Sequence, residues 1–328
     1  MTKAVYLTTL ILASSAFGQT TPPASGALRP AIRSTSTLVI VPTLVRSASG
    51  EFVTNLRAND FRLTDNGVEQ KVFAEEAEGQ AIAVVVLMQT GGAAPIQFQN
   101  YRTVSILLNH LLGSSNHRVA LVTFDSRPEE VWNFPPQVDG LKYAFTNHEN
   151  GDHGAAILDG LNRGIDLLEQ QPASFRRIIV LLSQPQDQGS RSYAEEVVRR
   201  LGENNTTVYS VTFPPEKLYP SHARINPMEA INPAGSLQVA LKAMHKNTAA
   251  TVAALSGGQH VHLKDKRDLE NKLSILADDL SHSYTLSFRP TLKDPGFHTI
   301  NVEVTKDHAS FLVTARTSYW VGGTATEK

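Results

Sequence analysis

The sequence predicts an α/β fold: a doubly wound, mostly parallel sheet flanked by a β-sandwich drawn from the two ends of the chain. Near-continuous Val/Ile/Leu runs such as Ile178-Ile179-Val180-Leu181-Leu182 alternate with amphipathic helical segments, the pattern of strands buried on both faces by crossover helices. Alternating apolar and polar residues, the mark of half-buried strands, are confined to the segments before about Gly79 and after Ser283. In the first of these, Asp65-Asn66-Gly67 separates two such runs, and an Asn-Gly pair supplies the positive φ that a tight hairpin requires.

The first residues carry Lys3, an apolar run over 4–13 broken only by Thr8 and Thr9, and small residues at Ala16 and Gly18. This is the layout of a secretory signal peptide cleaved after Gly18, so a secreted, periplasmic or cell-envelope protein is expected. Residues 19–36 are rich in Thr, Pro, Ser, Ala and Gly without periodicity and are read as a disordered leader. Strands are then predicted at 38–45, 61–64 and 68–73. The α/β pattern follows, with strands at 81–88, 119–124, 177–182, 208–212 and 258–263, and helices at 101–112, 155–169, 193–201, 235–255 and 269–280. A Pro-containing insertion spans 213–234. The C-terminal alternation at 284–288, 298–304 and 311–316 cannot bury its apolar face alone, so it is expected to pack with the N-terminal strands. The expected organisation is a sandwich from 37–78 and 283–322, an α/β domain from 79–282, and a tail from 323–328. In doubly wound folds ligands sit beyond the carboxyl ends of the strands, which directs attention to the loops after Met88, Phe124 and Leu182.

Composition excludes several classes of function. With 30 Lys+Arg against 31 Asp+Glu the formal charge is -1, so no global field draws the chain to nucleic acid or an acidic membrane. After the N-terminal segment no apolar run reaches the ~18 residues of a membrane span. Cysteine is absent, which removes disulfides, thiolate catalysis and Cys-based zinc sites. No Gly-x-Ser-x-Gly elbow, Walker loop or His-Glu-x-x-His motif is present.

Several segments together resemble a von Willebrand factor type A (VWA) domain, and most of all the secreted VWA-related proteins of Acidobacteria. They are AIAVVVLMQTGG from Ala81, RVALVTFDS from Arg118, HGAAILDGLNRGIDLL from His153 and RRIIVLLSQPQDQGS from Arg176. The flanks SASGEFVTNLRANDFRLTDNGVEQKV from Ser47 and SYTLSFRP from Ser283 are similar to the β segments around that domain. The resemblance covers residues 36–321 and implies a Rossmann-like sheet. Metal-binding members carry Asp-x-Ser-x-Ser in the first loop and a Thr and an Asp in two later loops, forming a metal-ion-dependent adhesion site (MIDAS). In this chain the first motif becomes Gln89-Thr90-Gly91-Gly92-Ala93, the Thr position is Ala155, and the last Asp position is Gln184. A hard cation such as Mg²⁺ needs anionic oxygens, so the resemblance implies a degenerate site with no metal and no other cofactor. Asp125, Asp152 and Asp187 fall in the same loops but in no ligand position, and are read as solvated carboxylates.

Other candidates are weaker. His148, Glu149, Asp152 and His153 crowd one loop, but two histidines five apart do not share a helix face as an i, i+4 pair would. His260 and His262 alternate on a strand and so point to one face, the right direction for joint ligation, with no third ligand evident; they are read as strand surface. Asn204-Asn205-Thr206-Thr207 contains two glycosylation sequons and is read as a turn. The expected function is non-enzymatic protein-protein interaction, with an unidentified protein bound by the loops containing Gln89 to Ala93, Asp125, Asp152, His153, Ala155, Gln184 and Asp187. Envelope assembly through the sandwich, and a metal-dependent hydrolase using the His-rich loop, are the alternatives.

Overall fold

In chain order the strands are β1 (Val39–Ser47), β2 (Phe61–Asp65), β3 (Val68–Gln70), β4 (Val72–Glu76), β5 (Ile82–Gln89), β6 (Arg118–Phe124), β7 (Pro128–Trp132), β8 (Arg176–Ser183), β9 (Thr206–Thr212), β10 (His260–His262), β11 (Tyr284–Phe288), β12 (Gly296–Val304), β13 (Phe311–Ala315) and β14 (Ser318–Val321). The helices are α1 (Ile157–Glu169), α2 (Ala194–Glu203), α3 (Leu237–Lys246), α4 (Thr248–Ser256) and α5 (Lys266–Ser281). This computed structural model describes residues 38–76, 80–92, 94–97, 117–134, 149–213, 236–263, 266–292, 294–305 and 311–322, all in the unit that begins at Ser36. The predicted signal peptide and leader, the 101–112 helix, Ala93, His148, residues 214–235 of the Pro-containing insertion and the 323–328 tail lie outside the described residues.

The central sheet has the order β10-β9-β8-β5-β6-β7. Its strands are parallel except β7, which runs antiparallel to β6. The register aligns Val86 with both Leu121 and Val180, so the Val/Ile/Leu runs stack across the sheet. One face packs Val85, Leu87, Ile179 and Leu181 against Leu161, Ile165, Val198 and Val252 of α1, α2 and α4. The other packs Val84, Val86, Ile178, Val180 and Tyr209 against Leu276 and Leu280 of α5. Burial on both faces explains why these strands read as continuous apolar text.

The remaining strands form two four-stranded sheets, β13-β1-β11-β4 and β14-β12-β2-β3, closed over a core of Val41, Leu63, Leu286, Phe288, Ile300 and Tyr319. The predicted hairpin is present: Asn66 and Gly67 have φ of 47° and 83°, and Asp65 pairs with Val68. The expected 68–73 strand is divided. β3 pairs with β2 in one sheet while β4 pairs with β11 in the other, so the chain changes sheets at Lys71. The predicted 235–255 helix is also divided, because Asn247 is extended (φ -154°, ψ 92°) and its side chain accepts the Ala250 N–H. Asparagine satisfies an orphan helix donor better as a cap than it serves a helix interior.

A polar ladder is buried within the sandwich. Asp65, His298 and Tyr319 are 0%, 2% and 3% exposed, and they occupy three neighbouring strands of one sheet. His298 Nδ1 lies 2.8 Å from Asp65 Oδ1, and the Tyr319 hydroxyl donates to Asp65 Oδ2 at 2.7 Å. Burial, and next the Asp65 carboxylate beside it, raise the Tyr319 pKa, so this hydroxyl stays a donor.

The sandwich is joined to the α/β domain by buried arginine. Arg316, 2% exposed, lies between β13 and β14 where the chain passes from one sheet to the other. It donates to the carbonyls of Leu201 and Gly202 at the end of α2, of Ile40, and of Ser318, and to Asn205 Oδ1. Its neighbours Thr317 and Ser318 donate to Ala254 and Leu255 at the end of α4. Burial pulls the Arg316 pKa down to about 10, and the charge is held by helix carbonyl ends. A second join is Arg46 of β1, paired with the buried Asp279 of α5 and stacked 4.2 Å over the Phe52 ring. Replacing Arg316 by Met removes a donor from five acceptors at this join, and urea unfolding is expected to show a loss of about 3 kcal/mol. Arg316→Lys restores charge but not the fork of donors, and should recover less than half of that loss.

Candidate functional site

Counted within the central sheet, the strand order reverses between β5 and β8. In a doubly wound sheet the crevice at the carboxyl ends of those two strands is the place for a ligand. Gln89 ends β5, and Gln184 directly follows β8. Gln89 is fully buried. Its Oε1 accepts the Gln184 N–H at 2.8 Å, and its Nε2 donates to the Gly91 carbonyl at 2.9 Å and to Gln184 Oε1 at 3.3 Å. Gln184 Nε2 turns to the Gln186 carbonyl at 3.0 Å. The two amides therefore close the switch point on themselves.

The loop after β5 is held by backbone contacts. Thr90 N–H donates to the Phe124 carbonyl at 2.8 Å, and Gly92 N–H to the Asp152 carbonyl at 2.8 Å. A Cβ on Gly91 would lie 2.5 Å from the Gly154 carbonyl oxygen and 2.7 Å from Asp125 Cβ, so glycine is required by close approach. Ala155, fully buried, exchanges two backbone hydrogen bonds with Gln188. The structure thus brings Gln89, Thr90, Gly91, Gly92, Asp125, Asp152, His153, Ala155, Gln184 and Asp187 to one end of the sheet.

The three carboxylates are not simply solvated, contrary to the sequence reading. Asp125 accepts the N–H groups of Arg127 and Asp152, both at 3.0 Å. Asp152 Oδ1 accepts from Ser126 N–H at 3.1 Å and Gly154 N–H at 2.7 Å. The Ser126 hydroxyl, with the Gly154 amide next, holds the Asp152 carboxyl below the ordinary aspartate range. Asp187 accepts the Leu158 N–H at 3.0 Å and so caps the first turn of α1 from another loop, where an anion suits the helix dipole. Ser126, Gly154 and Ser190, which complete these contacts, lie within the loops read from sequence (125–128, 150–155 and 184–191) but were not singled out there; the Gly151 and Gly154 pair flanking Asp152-His153 was the available signal.

These donors do not suit a hard cation. Gln89 Oε1 is committed to a backbone amide, Nε2 presents hydrogen to the centre of the loop, and Gly91 and Ala155 carry no side-chain oxygen. A neutral amide set cannot replace the hydration of Mg²⁺. Among the described residues no group of three or more His, Asp or Glu is placed to hold a metal ion.

Three strands from β5 in the sheet order, His260 and His262 lie on β10. His260 Nδ1 is 2.8 Å from Ser210 Oγ and His262 Nδ1 is 3.2 Å from Thr212 Oγ1. Burial, and secondarily His262, lower the His260 pKa to about 4. The Asn204-Asn205 sequons do form a turn, and Asn205 (φ 50°) clasps β1 by accepting the Ile40 N–H and donating to the Leu38 carbonyl.

Fold and site together define the class: a doubly wound α/β domain with a mostly parallel sheet, joined to a β-sandwich, with an amide-closed switch point. No family model matches the sequence, and no curated protein matches it. Among solved structures, the chain is similar to proximal thread matrix protein 1 from the mussel byssus (13% identity, TM-score 0.46, 66% of this chain and 50% of that one). It is also similar to BatB from Bacteroides thetaiotaomicron (14%, TM-score 0.41, 60% and 99%) and to an aerotolerance-related membrane protein from Bacteroides fragilis (13%, TM-score 0.42, 61% and 98%). The chain spans about half the length of the mussel protein.

Adding a side-chain oxygen at this loop should fail for steric reasons. Gly91→Ser is expected to lower stability by about 2 kcal/mol through overpacking, read from the urea midpoint, with no cation-dependent recovery on adding Mg²⁺. His260 carries a separate pH signature. Its folded pKa lies below the unfolded value of about 6.5, so the unfolded chain binds more protons between these values. Stability is therefore complete above pH 6.5 and falls as pH drops towards 4, by up to about 3 kcal/mol. In His260→Gln that part of the acid limb should flatten.

Proposed function

We propose that this chain is an exported, non-enzymatic protein-interaction protein whose VWA-like domain has lost its divalent-metal site and binds a protein partner directly. The Gln89-Gln184 amide pair carries this reading, because it fills with internal hydrogen bonds the place where a metal-mediated contact would form. The surrounding loops offer exposed Gly92, Asp152, His153, Gln186 and Gln188 on a backbone fixed by close contacts, a polar surface with little ordering entropy left to lose on association. Export rests on the N-terminal segment read from sequence. Among the described residues no helix is long and apolar enough to cross a membrane.

A second reading, assembly through the sandwich, is favoured by one observation. Phe73 and Leu312 are 52% and 57% exposed and lie on the two outer strands, β4 and β13, of one sheet; unpaired edges can recruit another strand.

Cross-linked pull-down of the full chain from an exported fraction, with and without EDTA, tests the main reading. Capture of the same partner in both conditions, reduced at least tenfold by Asp152→Arg/Gln188→Arg, is expected. Capture that requires Mg²⁺ or Mn²⁺ would overturn it. Loss on Phe73→Lys/Leu312→Lys but not on the loop variant would shift the function to the sandwich.

A further inference from the structure

One edge of the sandwich carries a sequence that matches itself. Among the described residues β4 pairs only with β11, so its other side offers backbone donors and acceptors to a further strand. Val72 and Ala74 turn inward and pack on the sandwich core. Phe73 turns outward and is 52% exposed, and Lys71 and Glu75, two residues to either side of it, are exposed as well. Lys71 Nζ lies 5.8 Å from the centre of the Phe73 ring, which places the two on one face. Charged residues on an edge ordinarily keep other strands away. Here they have opposite signs and equal spacing about Phe73, and that symmetry reverses the effect for one partner.

We propose that β4 pairs with β4 of a second copy of this chain, antiparallel about a two-fold axis at Phe73. Rotation about that axis sets Phe73 opposite its own counterpart, Lys71 opposite Glu75 of the second copy, and Glu75 opposite Lys71. Opposite charges and aromatic rings facing each other across strands are favourable pairs, and all of them fall on the outer face. Val72 and Ala74 meet on the inner face and extend the apolar layer. A slip of one residue would turn the apolar face of one copy outward, and a slip of two would set Phe73 opposite a charge, so the register is fixed. The other edge of this sheet, β13, has the sequence Phe-Leu-Val-Thr-Ala and no charge pattern of this kind. A two-fold contact uses the same patch on both copies and therefore closes at a dimer. The contact over 71–75 is short beside a standard interface, which makes the dimer weak and concentration-dependent. This inference rests on the sandwich-assembly reading and names its partner, and it leaves the switch-point loops open.

Sedimentation velocity of the full chain, from micromolar to millimolar concentration, tests the pairing. A reversible dimer is expected. Because the axis doubles each contact, Lys71→Glu or Glu75→Lys alone should weaken it about tenfold, and the exchange Lys71→Glu/Glu75→Lys should return it to the parent value. These variants change exposed side chains, and an unchanged urea midpoint in dilute solution verifies their fold. The chain has no cysteine, so single thiols give a second readout: Phe73→Cys should cross-link to itself under oxidation, and Leu312→Cys should not. A chain that stays monomeric throughout, or weakening that the exchange does not reverse, overturns the proposal. Association that ignores the charge variants but is lost in Leu312→Lys also overturns this pairing, while assembly through the sandwich stands; association that ignores all of them overturns both.

Discussion

The contact of Arg316, Thr317 and Ser318 with the ends of α2 and α4 is the constraint on which the arrangement of the two layers depends. In a parallel α/β sheet the crossover helices run opposite to the strands, so their C-termini gather at one edge. Those ends carry orphan carbonyls and partial negative charge. A sandwich set against that edge must supply donors or leave the carbonyls buried without partners. It supplies a buried guanidinium that faces carbonyl oxygens and an amide oxygen, and two hydroxyls. Arg176 repeats the solution at the end of α5, where it donates to the Leu280 carbonyl. Close backbone approach accompanies these bonds: a Cβ on Gly257 would lie 2.7 Å from Arg316 N, and one on Gly202 2.8 Å from Trp320 N.

The same polarity prepares the opposite edge. With helix C-termini committed to the sandwich, the N-terminus of α1 faces the loops at the carboxyl ends of the strands. Its first-turn donors are taken by Asp187 and Ser190, and Asp159 in turn holds the Arg191 and Ser192 amides. The β8-to-α2 connection is thus tied to α1 at both ends, so Gln184 is held from two sides as it meets Gln89.

Much of the fold could be read from local text. Runs buried on both faces announce β5, β8 and β9, and Asn66-Gly67 announces its hairpin, because each signal lies within a few residues. What escaped depends on partners distant in sequence. Nothing near Arg316 shows that four of its five acceptors lie more than a hundred residues earlier. Nothing in 68–73 shows that β3 and β4 belong to different sheets, since both halves are good strand text. The break at Asn247 was legible as a capping residue but was outweighed by the apolar period on either side. At the site, the amides at positions 89 and 184 and the small residues at 91 and 155 were visible residue by residue. The capping role of Asp187 was not, because the donors belong to a helix that begins at Ile157.

The gap between the ends of β5 and β8 could have been left open, lined by small residues and filled by water. The pair Gln89 and Gln184 gives a different outcome for a physical reason. A fully buried carboxylate at position 89 without a cation would carry a desolvation cost of several kcal/mol. A buried amide carries no charge and brings both a donor and an acceptor, which here meet the Gly91 carbonyl and the Gln184 backbone N–H. Glutamine therefore joins the loops after β5 and β8 with a covalently attached bridge. That bridge is insensitive to ionic conditions, and it fixes the loop geometry before any partner arrives. A surface ordered in this way presents a permanently formed face at the topological switch point.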